Sequence, residues 1–228
     1  MQRLPVLCVL LAAIGTSGVR AHEDHVPEPA PSAGSALFEP PPPGTYELPA
    51  IRRVPERELL ASDGRAAELP GLEPGQVAVV SFIYRSCADA GGCPLALSVM
   101  RRLDREFAAT PELTSRVRLV TVSFDPARDT PAKMAELRAA LEPRGDWRFL
   151  TGADAATIAP VLGDYDQDVL LETVADGEAP VLRHLLRLFL VDDRGDVRNV
   201  YSSSFLDWRV LRNDVVTVLD EEAARVSR

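Results

Sequence analysis

The sequence predicts an α/β fold in which helices cover a central mixed β-sheet. Residues 77–84 form a nearly continuous apolar run rich in β-forming side chains, which is typical of a strand buried on both faces. Residues 94–108 then repeat apolar side chains at helical spacing. Strand-like and helix-like segments alternate from there to residue 226, the pattern expected when helices pack on a mostly parallel sheet.

The first helix follows the first strand after a short connection. Its apolar residues lie four positions apart and share one face: Leu95, Val99, Leu103 and Phe107. The second strand is predicted at 116–124, with the sequence RVRLVTVSF. The second helix is predicted at 129–142, where Thr130 can cap the first turn and Pro131 suits the first helical position.

A hairpin and a final helix are predicted near the carboxyl end. Residues 184–203 have the pattern of two strands around an Asp-Arg-Gly turn, so the pair should be antiparallel. Residues 206–226 have the pattern of a last helix. The order strand, helix, strand, helix, hairpin, helix describes a thioredoxin-like three-layer sandwich with a central mixed sheet.

Residues 1–21 have the features of a secretory signal peptide. Arg3 supplies the positive start, residues 4–14 form the apolar core, and small residues stand at the predicted cleavage site. We therefore expect export to the periplasm. The alternative is an uncleaved signal that anchors the chain in the membrane, which the shortness of the apolar run disfavours.

The next segment is predicted to be a flexible arm. Residues 22–50 contain eight prolines, which leaves 51–228 as the folded domain. The whole chain has a formal net charge of -9, and loss of the signal would remove two arginines and no acid, giving about -11. A domain this acidic is not expected to bind nucleic acid or an anionic membrane surface.

The cysteines mark a candidate site. Cys8 lies in the signal and would leave with it, so Cys87 and Cys93 are the pair that remains. Cys87 follows the first buried strand, and Cys93 precedes the first residue of the next helix; functional sites in open α/β sheets gather at the carboxyl ends of strands. The partial positive charge of a helix amino terminus predicts that Cys93 favours the thiolate.

The cysteine pair admits three roles: a structural disulfide, a redox couple or part of a metal site. A bridge closing this seven-residue loop would contribute about 2.4 kcal/mol, which is modest for a domain with a full core. The thiols alone do not separate redox work from metal binding. A third ligand would separate them.

The histidines supply one such candidate ligand. His22 and His25 could bind a metal near the new amino terminus, although two solvated histidines on an arm are the simpler interpretation. His184 is the only histidine in the predicted folded domain and stands at the entry to a strand. Two thiolates and one imidazole suit Cu(I), and Zn(II) less selectively.

Four features occur in order along the chain. The stretch FIYRSCADAGGCPLA places a cysteine pair and a proline after a strand. VSFDPARDTPAKM stands at 122–134, WRFLTG at 147–152, and His184 precedes Asp192 by eight residues. Together these features resemble the Sco/SenC family of copper proteins, whose diagnostic segments are V-S-x-D-P-x-x-D-T-P and W-x-x-L-T-G and whose ligand histidine usually precedes an acidic turn by this interval.

The resemblance implies a thioredoxin fold and copper bound by Cys87, Cys93 and His184, as Cu(I) and in some members as Cu(II). It also implies a reversible disulfide between Cys87 and Cys93. The expected partners are a copper-accepting protein such as a cytochrome oxidase subunit, and other copper chaperones. Asp125 and Asp129 are expected close by, with turn and cap chemistry as their simpler role.

One departure from the family pattern concerns the cysteine spacing. Five residues separate the cysteines here, whereas three is the family norm. Gly91 and Gly92 would let the longer loop fold back, so that both sulfurs face one ion. The segment 163–180 is also longer and more acidic than expected, which is consistent with another copper protein as the recipient.

Three functions are therefore considered. The first is a metallochaperone that delivers copper. The alternative is a thiol:disulfide oxidoreductase that reduces partner cysteines, for which the imidazole of His184 is not needed. A thiol peroxidase on the same fold is a third, and it explains less of the chain because it does not account for the Sco-like segments.

Overall fold

A mixed β-sheet forms the centre of the protein. The structure is a computed structural model that describes residues 38–87, 89–172 and 181–226. Within these residues an eight-stranded sheet has the order β1-β10-β9-β4-β5-β6-β2-β3, and β7 and β8 form a separate antiparallel pair. The strands are β1 Arg52–Arg53, β2 Arg57–Ala61, β3 Ala66–Leu69, β4 Val77–Ile83, β5 Val117–Ser123, β6 Asp146–Thr151, β7 Val169–Glu172, β8 Val181–His184, β9 Arg187–Asp192 and β10 Asp196–Ser202.

Helices connect and cover the strands. They are α1 Cys93–Ala108, α2 Pro111–Thr114, α3 Pro131–Leu141, α4 Ala155–Asp164 and α5 Trp208–Val226, with one 3₁₀ turn at Ser203–Phe205. Strands β4, β5 and β6 are parallel, and β9 is antiparallel to β4. The predicted α/β class, thioredoxin-like with a central mixed sheet, is confirmed.

The two central parallel strands form the core. Every residue of β4 and of β5 is buried, as expected for strands inside a sheet that helices cover. Helix α1 contacts α5, β4 and β5, and Val99, Leu103 and Phe107 of its predicted apolar face are buried, whereas Leu95 is half-buried. This packing fixes the amino terminus of α1 next to the carboxyl end of β4.

All six elements predicted from the sequence are present, with ends shifted by up to three residues. Thr130 stands at the amino-terminal cap of α3 and Pro131 is its first residue, as predicted, but the Thr130 side chain makes no capping hydrogen bond. The predicted turn between β9 and β10 contains Gly195 with φ of 78°, a left-handed conformation that favours glycine.

The described part of the predicted arm lies along α5. The Gly44 N–H donates to Thr217 Oγ1 at 2.9 Å, and the Tyr46 hydroxyl donates to Asp214 Oδ1 at 2.5 Å. The Leu48 N–H donates to Glu221 at 3.2 Å. The predicted signal, with the arm up to residue 37, lies outside the described residues. Among the helices that the structure describes, none combines the length and apolar character needed to span a membrane.

Candidate functional site

The two cysteines lie at the carboxyl end of β4, as predicted. The Cys87 N–H donates to the carbonyl of Tyr84 at 3.2 Å, which turns the chain immediately after the strand. Cys93 is the first residue of α1, one position earlier than predicted, and its side chain is buried. Both thiols are free, and Cys87 is half-buried. The pair therefore consists of one accessible and one covered thiol.

The protonation of Cys93 differs from the sequence-based expectation. Burial raises the pKa of the Cys93 thiol well above its usual value, and the neighbouring Cys87 raises the pKa further. Backbone hydrogen bonds at Tyr84 and at Cys93 itself lower the pKa, but by less. The prediction of a favoured thiolate was wrong, because removal of the sulfur from water outweighs the partial charge of the helix terminus.

Residues 89–92 of the connection between the cysteines fold back on Cys87. The Gly92 N–H donates to the Asp89 carbonyl, and the Gly91 N–H donates to Asp89 Oδ1, both at 2.9 Å. A Cβ added at Gly92 would lie 3.3 Å from the Asp89 carbonyl oxygen and 3.4 Å from Cys87 Sγ. A bare glycine at 92 thus lets the longer loop approach the sulfur, as expected, whereas a Cβ at 91 would meet only Asp89 Oδ1 at 3.5 Å.

His184 ends β8 and lies against the same end of β4. Its Nε2 is 3.2 Å from the carbonyl oxygen of Phe82, and its ring centroid is 4.6 Å from that of Phe124. Because a carbonyl can only accept, Nε2 carries the proton and the lone pair of the neutral ring is on Nδ1. Burial lowers the pKa of His184, against smaller raising effects of the Phe82 carbonyl and the Asp89 charge.

Aromatic side chains lie between the histidine and the cysteines. The Tyr84 ring centroid is 5.4 Å from that of Phe124, which in turn contacts the His184 ring. Burial raises the pKa of Tyr84 to about 12, and a hydrogen bond with Cys87 contributes to the rise. The phenol is therefore protonated at neutral pH and lies beside the more accessible sulfur.

The three predicted ligands share this end of β4 without converging on one point. Among the described residues, no three side chains of histidine, cysteine, aspartate or glutamate are arranged to hold a metal ion. His22 and His25, the other histidines considered from the sequence, lie outside the described residues. What the structure brings together is a thiol pair and a neutral imidazole on neighbouring elements.

The aspartates of the diagnostic segment anchor the loops around the site. Asp129 Oδ2 accepts from the Arg85 N–H at 2.9 Å and from the Ser123 hydroxyl at 2.6 Å. Asp125 pairs with Arg128. The Asp125–Arg128 pair is local and agrees with the turn role expected for Asp125, whereas the Asp129 side chain holds a distant loop and forms neither a turn nor a helix cap within the described residues. Asp129 holds the backbone two residues before Cys87, a link that the spacing of the motif alone did not reveal.

Sequence reasoning missed the carbonyl of Phe82 and the carboxylate of Asp89. A backbone carbonyl has no signature in the sequence. Asp89 could have been noticed, because it is the only acidic residue between the two cysteines. The structure shows that it shapes the loop and that its charge acts on His184.

The described residues therefore form a thioredoxin-like domain with a cysteine pair between β4 and α1 and a histidine beside β4. The SCO1/SenC family model matches residues 56–219, which is most of the chain. The protein therefore belongs to the SCO1/SenC family.

Known proteins resemble the chain to different extents. A putative copper-binding protein of Stutzerimonas stutzeri is 34% identical over 87 residues, which cover 38% of this chain and 40% of that protein. The chain thus spans less than half the length of this relative. The copper-bound structure of Bradyrhizobium japonicum ScoI is 23% identical, with a TM-score of 0.58, over 75% of this chain and 99% of that one.

The copper-bound structure of Arabidopsis thaliana ScoI gives a similar match. It is 21% identical, with a TM-score of 0.61, and covers 76% of this chain and 99% of that one. At these identities the two structures establish the shared fold.

Proposed function

We propose that the protein is a periplasmic metallochaperone that binds copper through Cys87, Cys93 and His184. It would deliver the metal to a copper-accepting protein such as a cytochrome oxidase subunit, and other copper chaperones would load it. The observation that carries the proposal is that both thiols and the His184 imidazole lie on neighbouring elements at the carboxyl end of β4. Copper is the cargo in this function.

The residues fit this cargo chemically. Thiolates and imidazole are ligands suited to Cu(I). The lowered pKa of His184 keeps its ring neutral at pH 7, which is the form that binds metals. The hydrogen bond from Nε2 to the Phe82 carbonyl fixes the ring and presents Nδ1 as the donor atom. Histidines that bind a metal through one ring nitrogen typically donate the N–H of the other ring nitrogen to a carbonyl or carboxylate.

Further support comes from outside the site. The curated relative is described as copper-binding, and the two structures named above contain copper. The predicted signal at 1–21 supports a periplasmic location, with an uncleaved anchor as the alternative. The acidic composition favours a basic docking surface on the recipient, so the rate of association should fall as salt increases.

The proposal is tested by competition titration of the reduced protein with Cu(I) against a chelator. The variants Cys87→Ser, Cys93→Ser and His184→Ala are measured beside it. We expect one tightly bound copper per chain, with each substitution weakening binding by about 100-fold or more, beyond the usual cost of losing only a supporting contact. Unchanged affinity in His184→Ala would contradict the ligand assignment.

The second candidate function is thiol:disulfide exchange with a partner protein. It is favoured by the two free thiols, of which Cys87 is the more accessible. The Cys87 thiolate would attack a partner disulfide, releasing one partner thiol and forming a mixed disulfide. The Cys93 sulfur would then attack Cys87, so that the partner leaves with both thiols reduced and the protein is left with the disulfide.

His184 distinguishes the two functions. For a copper carrier, His184→Ala lowers the Cu(I) affinity strongly. The reduction potential of the Cys87–Cys93 disulfide should change by less than about 30 mV, because the imidazole takes no part in the exchange. If the variant keeps full copper affinity and still reduces a model disulfide substrate, exchange would be the better account of the site.

A further inference from the structure

Asp89 lies within the extended connection between the cysteines. Its carbonyl and its carboxylate both bond to the glycine pair that ends the connection. Cys87 Sγ and Asp89 Oδ2 each lie 3.4 Å from the point where a Cβ of residue 92 would sit. The carboxylate and the accessible sulfur therefore flank one point above the start of α1.

The two oxygens of the Asp89 carboxylate differ in their hydrogen bonding. Oδ1 accepts the Gly91 N–H at 2.9 Å and shapes the turn. Oδ2 accepts no hydrogen bond from the part of the chain that the structure describes. The side chain is exposed, so the uncommitted oxygen can turn toward an incoming ion without breaking the turn.

The carboxylate thus lies beside the thiol side of the proposed copper site, next to the Cys87 sulfur.

We propose that Asp89 supplies an oxygen ligand to Cu(II), and not to Cu(I), at this site. The inference rests on the proposed function. Two soft thiolates and an imidazole satisfy Cu(I), whereas Cu(II) favours a tetragonal set that includes nitrogen and oxygen donors. The doubly charged ion also gains more from a carboxylate than the singly charged ion does. Asp89 therefore stabilises the oxidised form of the bound copper.

The test uses Asp89→Asn in the full-length protein. The amide oxygen can still accept the Gly91 N–H, so the turn is kept while the charge is removed. Asp63→Asn is the matched control, because Asp63 Oδ1 accepts the Arg65 N–H at 3.0 Å in a similar turn. That turn joins β2 and β3, which β5 and β6 separate from β4. Asp89→Ala, which breaks the turn itself, measures the structural contribution.

Affinities for Cu(I) and Cu(II) are measured by competition, with free thiols counted because Cu(II) can oxidise the pair to the disulfide. We expect Asp89→Asn to lower Cu(II) affinity by about tenfold or more and to change Cu(I) affinity by less than about threefold. Each tenfold difference raises the reduction potential of the bound copper by about 59 mV. The thiolate-to-Cu(II) absorption band should shift in this variant and stay unchanged in Asp63→Asn.

Two results would overturn the inference: unchanged affinity for both ions in Asp89→Asn, or an equal loss of affinity for both ions, which would indicate a structural role. Tight Cu(I) binding with an unchanged ratio of Cu(II) affinity to Cu(I) affinity in Asp89→Asn would refute the role of Asp89 but not the proposed copper-carrier function. Absence of tight Cu(I) binding, with Cu(II) binding still weakened by Asp89→Asn, would refute the carrier alone. Failure to bind either ion would refute both.

Discussion

Replacement of Asp129 by alanine should weaken both the fold and the site. The carboxylate is 3% exposed, and its Oδ2 receives hydrogen bonds from the Arg85 N–H at 2.9 Å and the Ser123 hydroxyl at 2.6 Å. A hydrogen bond to a charged group contributes about 1.5–3 kcal/mol, so the loss of two predicts about 3–6 kcal/mol in the free energy of unfolding. Because Arg85 lies two residues before Cys87, the loop carrying that thiol also loses its anchor.

The stability change is measured by denaturant unfolding and by the midpoint of thermal unfolding. For a domain of this size the predicted loss corresponds to a Tm lower by roughly 6–24 °C. The Cu(I) affinity of any folded Asp129→Ala protein should fall by about tenfold, the lower end of the usual cost of losing a supporting contact. Asp129→Asn keeps the shape of the side chain and should lose less stability than the alanine variant.

Asp104 provides the matched control. It is also buried and accepts two backbone hydrogen bonds, from the Arg144 and Gly145 N–H groups, both at 2.8 Å. These bonds lie just before β6 begins, at the amino-terminal ends of the parallel strands, whereas the cysteines lie at the carboxyl end of β4. Asp104→Ala should therefore cost similar stability without lowering copper affinity. A loss below about 1 kcal/mol in Asp129→Ala, or equal effects of the two variants on copper, would refute this reasoning.

Three other predictions follow from the same contacts. Burial keeps Cys93 protonated at pH 7, so copper must displace that proton, and the apparent Cu(I) affinity should rise about tenfold per pH unit for each proton displaced, in titrations between about pH 6 and 8. Gly92→Ala crowds the Cys87 sulfur and should lower copper affinity by about tenfold, whereas Gly91→Ala, whose Cβ meets only the end of one side chain at 3.5 Å, should not. Tyr46→Phe removes one of the hydrogen bonds between the arm and α5 and should lower the free energy of unfolding by about 1–3 kcal/mol, measured in urea.

Each of these predictions has an outcome that contradicts it. A copper affinity independent of pH would mean that Cys93 is already ionised in the folded protein. Equal effects of the two glycine variants would show that contact with Cys87 is not the reason for a glycine at 92. An unchanged stability in Tyr46→Phe would mean that the arm is held by its other contacts.

Elements with strong local patterns were predicted well. Strand β4 is a continuous apolar run, and α1 repeats apolar residues on one face. Each pattern predicts which side chains are buried, and the structure buries most of them. Strands β2 and β3 were not predicted, because they are short, carry charged residues and lie at the edge of the sheet. Their pairing depends on the neighbouring β6, and a local pattern does not contain that information.

Some features of the candidate site could likewise be predicted from the sequence, and others could not. The cysteine pair and His184 were selected from the sequence because the types of residue carry the chemistry of soft-metal binding. The pKa of Cys93 could not be predicted, because it depends on burial by side chains that are distant in sequence. The hydrogen bond between His184 and the Phe82 carbonyl spans about a hundred positions of the chain and exists only in the folded protein.

The sequence alone determined the class of the fold, the family resemblance and the donor atoms available for copper. Those properties belong to residue types and to their spacing. The tertiary structure decided which thiol is accessible, which nitrogen of His184 is free and that the Asp89 carboxylate lies near the Cys87 sulfur. The reason is that burial, hydrogen bonding and electric fields arise from atoms brought together by folding, whatever their separation along the chain.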